Sequence, residues 1–390
     1  MSKRARLQKS LAAKTPSIPE LIESWSHVFA SRSNKRTAKA AVKLGVVKRR
    51  APVIPTPVPW EDHLALMKQT LQAAVTLEFA TIPPYLCALW SIKDELDPAA
   101  ESIREIVQEE MLHMALTCNM LAAIGGEPQI CTPGHVATYP AHLPGDVHPD
   151  LIVSLSRLSD ASLKCFLTIE RPSLFPSNVE RGPEDDAPPD RSIGDFYDCI
   201  LKGFQQEQNQ FEAMMVVDHQ ITGPLAWQVI RNVKNVEGAI GLIKRQGEGV
   251  TERPVDRRTK NYAHYFRFME ILRRQKLRWD AKSQKHIYDQ KLAFPDAWPM
   301  ARVPRGGYQE KQVDPAVWNL LNRFDTAYSD LLRLLQEAWT LDGQSALIRA
   351  IAKMFELQNY AKPLMQIPIP NKKIKGIAQH YGPCFRYTPL

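Results

Sequence analysis

The residues best suited to chemistry in this sequence are an acid and a histidine three positions apart, Glu110 and His113, preceded by a solitary acid, Glu78. On a helix, the E-x-x-H spacing sets a carboxylate and an imidazole on neighbouring rungs of one face, about 5–6 Å apart at their Cβ atoms. Two such donors suit a single metal ion, and carboxylate combined with neutral imidazole suits iron or manganese. Both motifs lie in apolar surroundings. Glu78 interrupts the stripe Leu64, Met67, Leu71, Val75 and Ile82; Glu110 and His113 lie among Ile103, Ile106, Val107, Met111, Met114, Cys118 and Leu121. A buried acid without a partner costs several kcal/mol or keeps its proton, so burial itself calls for a metal or another cation. Of the neighbours Glu109 and Glu110, the spacing to His113 selects Glu110 as the inward one.

Dimetal carboxylate centres in helical bundles take one Glu from each of two helices and an E-x-x-H pair from each of two others. A second half is therefore expected. Residues 71–84 (LQAAVTLEFATIPP) align without a gap with 163–176 (LKCFLTIERPSLFP), with identities at Leu71/Leu163, Thr76/Thr168, Glu78/Glu170 and Pro84/Pro176. The repeat makes Glu170 the partner of Glu78 and predicts another acid-plus-histidine segment downstream. There His264 shares a helix face with Phe268, Ile271 and Leu272, but Asn261 stands where the motif needs an acid. The missing carboxylate is expected from Glu248, with Glu207, Glu237 and Glu270 as rivals and Glu252 as a weaker one. The expected ligand set is thus Glu78, Glu110, His113, Glu170, Glu248 and His264 around two non-haem iron ions, with manganese as an alternative. Tyr85, Trp90, Tyr262, Tyr265 and Phe266 read as core or pocket wall, and a tyrosine beside such a centre could relay electrons. The irregularly spaced His135, His142 and His148 read as surface histidines.

The elements that must position these groups are helical. One helix is expected over 61–92, kinked or broken where Pro83 and Pro84 each remove a backbone donor, and a second over 99–124, ending at Gly125-Gly126. Turn-forming residues mark 132–150 and 180–191 as loops. Helical periodicity returns at 151–170, 192–217, 225–247, 260–280, 314–341 and 343–365, and no run alternates like a strand, so the chain reads as all-α. At 390 residues and 44% hydrophobic it is long and apolar enough to fold around a core.

Six scattered cysteines form no C-x-x-C pair and read as reduced thiols. The net charge of +8 belongs to one end: residues 1–50 carry 13 Lys and Arg against Glu20 and Glu23, which leaves 37 basic and 40 acidic residues elsewhere. That distribution argues against specific nucleic-acid binding by the body of the protein. The basic tail is expected to be solvated, to contact an anionic partner or to address the chain to an organelle. With no run of about 18 uncharged apolar residues and no apolar N-terminal leader, a cytoplasmic location is expected. The expected division is a basic, Pro-rich tail and linker over 1–58, a metal-binding bundle over 59–280 and a helical extension over 281–390. The final hairpin, 314–341 with 343–365, would cover the bundle or form a homodimer face.

The segments LEFATIPPYLCALWSI (77–92) and EEMLHMALTCNMLAAIGGEP (109–128) closely resemble the signature helices of the ferritin-like family that includes iminophenyl-pyruvate dimer synthases. IGDFYDCI (193–200), QGEG (246–249), HYFRFMEI (264–271) and GPCFRY (382–387) are similar to its later blocks, so the resemblance spans about 60–390. It implies a ferritin-like four-helix bundle with added helices and a C-terminal helical hairpin. The best-known members act in violacein- and indolocarbazole-type pathways, coupling two imines made from tryptophan, and some relatives are reported to carry haem. Ligand chemistry and resemblance together lead to an expected dioxygen-dependent oxidoreductase that oxidises, oxygenates or couples a small molecule of a secondary pathway. An imine-dimerising synthase without redox-active iron, an iron-storage protein and a non-catalytic scaffold are the alternatives.

Overall fold

The computed structural model describes residues 59–182, 185, 191–222, 228–249, 254–256, 260–341 and 343–389. The basic tail, most of the 180–191 loop and Glu252 lie outside the described residues.

Helix α1 (Trp60–Ser91) contains Pro83 and Pro84, and the expected break does not occur. Pro84 has no N–H to give the Ala80 carbonyl. That carbonyl instead accepts from Tyr139 Oη at 2.7 Å, so the loop after the second helix replaces the lost backbone donor. By length and composition α1 could cross a membrane, but 89% of its most apolar window is buried against the rest of the protein. Helix α2 (Pro98–Ala123) starts with Asp97 accepting from the Ala99 N–H and Pro98 at the first position, an arrangement that satisfies or removes exposed donors. It ends at Gly125 (φ 68°), in the left-handed region that favours glycine.

The remaining elements refine the periodicity. Of 151–170, only α3 (Asp160–Ile169) is helical, because Ser159 and Ser162 form a capping box that starts the helix there. The 192–217 stretch divides at Glu207 into α4 (Ile193–Gln206) and α5 (Gln208–Met214). Asn232 caps α6 (Val233–Gly247). Helix α7 (His264–Arg273) stops at Arg274 (φ 56°), and the chain turns into β1 (Gln275–Asp280) paired antiparallel with β2 (Lys285–Lys291). Leu277 and Tyr288, opposite each other in this hairpin, are both buried, so the stretch to 280 that looked helical hides a strand. The hairpin also straddles the 280/281 division. After α8 (Pro315–Thr340) and α9 (Gly343–Gln366), a second hairpin pairs β3 (Pro368–Ile374) with β4 (Ile377–His380).

Helix packing follows the repeat. The α1–α2 pair and the α3–α7 pair face each other through α2 and α7, while α4 and α6 pack together and close against α1 and α2. The α8–α9 hairpin lies over the bundle, α8 touching α2 and α9 touching α1. Between hairpin and bundle is an apolar cavity of about 290 Å³ whose walls include Phe79, Ile82, Met111, Met114, Trp339 and Leu357. All six cysteines are free thiols.

Asn119, fully buried on α2, ties these layers together. Its Oδ1 accepts from the Trp339 indole N–H and the Ile221 N–H, both at 2.9 Å, and its Nδ2 donates to the Ile221 carbonyl. Asn119→Ala would strand three buried polar groups at once and should lower stability by about 3 kcal/mol, read as a lower urea midpoint in chemical denaturation.

Candidate metal centre

Five of the six expected ligands converge inside the bundle. Glu78 comes from α1, Glu110 and His113 from α2, Glu170 from the residue that ends α3, and His264 from the first turn of α7. None is more than 3% exposed. They form two sets whose ligating atoms lie within 4.8 Å of one another: Glu78, Glu110 and His113, and Glu110, Glu170 and His264. Glu110 belongs to both. The two imidazoles stack with centroids 5.5 Å apart and turn Nδ1 toward the acids. His113 Nδ1 is 3.5 Å from Glu110 and 3.7 Å from Glu78; His264 Nδ1 is 2.9 Å from Glu110 and 3.5 Å from Glu170.

Each ligand is held from behind. Tyr197 Oη on α4 donates to Glu78, Tyr85 Oη on α1 donates to Glu170 at 2.5 Å, and Thr81 Oγ1 donates to Glu110 at 2.6 Å. His113 Nε2 meets the Gln246 Oε1 at 2.9 Å, and His264 Nε2 meets Glu109 Oε2 at 2.9 Å. A metal-binding imidazole characteristically gives its outer nitrogen to such a partner, which sets the tautomer and aims the inner lone pair. His264 Nδ1 is buried and makes no hydrogen bond despite its 2.9 Å approach to Glu110, as an atom directed at a cation would. Donor set, burial and this orphaned nitrogen all fit a pair of divalent ions.

Glu248 departs from the expectation. Although buried, it belongs to neither set: its Oε2 accepts from the Ser173 N–H and Oγ at 3.0 and 3.1 Å, and its carboxyl packs on Gly194, where any Cβ would fall 2.0 Å from Oε1. The reason is helical phase. Gln246 faces His113, and Glu248, two residues on, lies about 200° further around the axis. Gly247 between them lets the backbone lie close to Glu170. Among the rivals, Glu270 is buried but bound to Lys276 and the Leu277 N–H; Glu207 is half-buried and Glu237 exposed. Asn261, at the gap in the motif, lies 3.4 Å from Glu105. Tyr85 proves more than pocket wall, and His148 is buried rather than on the surface. Tyr197, Gln246, Glu109 and Thr81 escaped the sequence reading, although Tyr197 lies in IGDFYDCI and Gln246 in QGEG.

The acids and imidazoles shift one another. Burial, then the charge of Glu110, pushes Glu78 up to about 8. Burial opposes ionisation of Glu110, but the close approach and charges of His113 and His264 outweigh it and hold its carboxyl well below the usual range. Burial likewise disfavours the charged histidines, yet the close approach and charge of Glu110 raise His113, and the charge of Glu170, the hydrogen bond to Glu109 and the close approach of Glu110 raise His264 further. A cation must displace those protons. Its apparent affinity should therefore rise with pH up to about 8, where Glu78 gives up its proton, and uptake should release protons, detected by calorimetry in buffers of different ionisation enthalpy.

A model of the ferritin-like family matches residues 71–273, which contain all five converging ligands. The chain belongs to the ferritin-like family. Its structure is similar to the crystal structure of a ferritin-like protein from Caulobacter vibrioides, with a TM-score of 0.58 at 21% identity over 85% of this chain and 100% of that one. That likeness supports the fold. No curated protein matches the sequence.

Proposed function

We propose that this chain is a non-haem di-iron oxidoreductase that uses dioxygen to oxidise, oxygenate or couple a small molecule of a secondary pathway. The observation that carries the reading is the pair of buried two-carboxylate, one-imidazole sets sharing Glu110. Three carboxylates and two neutral imidazoles suit iron and, less well, manganese. Two ferrous ions held there would supply electrons for reducing dioxygen.

The protein's own contribution is arrangement. Glu110 belongs to both sets, its Oε1 facing the two histidines and its Oε2 fixed by Thr81, while Tyr197 and Tyr85 orient the outer carboxylates. The surrounding apolar bundle keeps water from the ligands. A small apolar substrate is supported by the 290 Å³ cavity, whose apolar wall is built partly from α1 and α2, the helices that also carry Glu78, Glu110 and His113. The C-terminal hairpin covering α1 and α2 favours an enzyme over a storage cage. Within the family, the resemblance of 77–92 and 109–128 to iminophenyl-pyruvate dimer synthases favours a coupling reaction, with an imine-dimerising synthase that lacks redox-active iron as the alternative.

Protein loaded anaerobically with ferrous iron should hold about two ions per chain, consume dioxygen and show no Soret band. Glu110→Ala should lose both ions, because both sets depend on that residue. A Soret band without non-haem iron would instead support a haem-assisted or metal-independent coupling enzyme.

A further inference from the structure

The two ligand sets match in their carboxylates but differ behind their histidines. Each outer acid, Glu78 or Glu170, receives one tyrosine hydroxyl, and Glu110 is common to both. The outer nitrogen of His113, however, meets a neutral amide, Gln246 Oε1, at 2.9 Å, whereas that of His264 meets a carboxylate, Glu109 Oε2, at the same distance. Glu109 is itself gripped by Arg267 Nη1 at 2.9 Å. The buried Arg267 is fixed in turn by Glu105 and the Ser102 carbonyl, both at 2.7 Å from Nη2. Together Glu105, Glu109 and Arg267 leave one net negative charge behind His264.

We propose that the two cation positions are unequal, with the one formed by Glu110, Glu170 and His264 binding the first and tighter ion, and that Glu109 is the positioning residue that makes it so. This rests on the dinuclear reading above and adds an order of filling. A carboxylate accepting an imidazole N–H places more negative charge on the opposite ring nitrogen than an amide does, and it raises the basicity of the ligand. The adjoining net negative charge also favours a divalent cation at short range. The position at His113 has matching carboxylates but lacks both advantages.

Titrating the metal-free full-length protein with Co2+, read by its visible absorption and by calorimetry, should give two steps separated by about tenfold or more. His264→Ala should remove the tighter step and His113→Ala the weaker. Glu109→Gln, which still offers an oxygen to His264, should weaken the tighter step by about 10–100-fold and spare the other. Gln246→Glu should strengthen the weaker step and bring the two together, a gain that damaged folding would not produce. Two equivalent ions in the wild type, or a Glu109→Gln effect confined to the weaker step, would overturn the asymmetry and leave the dinuclear reading standing. A wild type that binds no Co2+ would overturn both.

Discussion

Three carboxylates and two imidazoles packed together out of reach of bulk solvent form the constraint on which the rest of this structure depends. Water would solvate such charges at no structural cost, but the bundle interior does not, and an unpaired buried carboxylate costs several kcal/mol. Every neighbouring element is arranged around that problem. Tyr197 on α4 and Tyr85 on α1 supply hydroxyls, Thr81 reaches across from α1 to α2, and Gln246 on α6 and Glu109 on α2 take the outer histidine nitrogens. What these groups leave unsatisfied faces inward, where it fits a pair of cations.

The arrangement has a twofold character with deliberate exceptions. The α1–α2 and α3–α7 pairs each bring an outer acid and a histidine, but α1 is a long helix with its Glu in the middle, while α3 is short and ends at Glu170. Pro172 soon after Glu170 prevents continuation, whereas Tyr139 keeps α1 intact past its own prolines. Hydroxyl roles echo the repeat as well: Thr81 and the aligned Ser173 each donate to a buried Glu, Glu110 in one case and Glu248 in the other. Only the first of those acids reaches the centre. The two halves thus share a plan and differ in the acid count and in the groups behind their histidines.

Much of this was legible in the chain of residues. Apolar stripes interrupted by an acid located α1 and α2, E-x-x-H spacing chose Glu110 over Glu109, and the repeat at 163–176 led to Glu170. These signals are local: they depend on helical period and neighbouring side chains, which are the same wherever the helix goes. The two β-hairpins were illegible because short, partly exposed strands carry little alternation, and the helix starts at Asp160 and Val233 depend on caps that periodicity does not see.

The sequence by itself determined the helical class, the first half of the centre and the identity of its partner acid, because spacing along a helix is already geometry. Only the tertiary structure decided that Glu110 belongs to both ligand sets, that Gln246 rather than Glu248 faces the centre, and that Glu109, turned away from the ligands on its own helix, reaches His264 from behind. Those outcomes depend on the rotation and approach of α2, α6 and α7 relative to one another. A difference of two residues in helical phase, about 200°, exchanges an acid for an amide, and packing selects which one the centre receives.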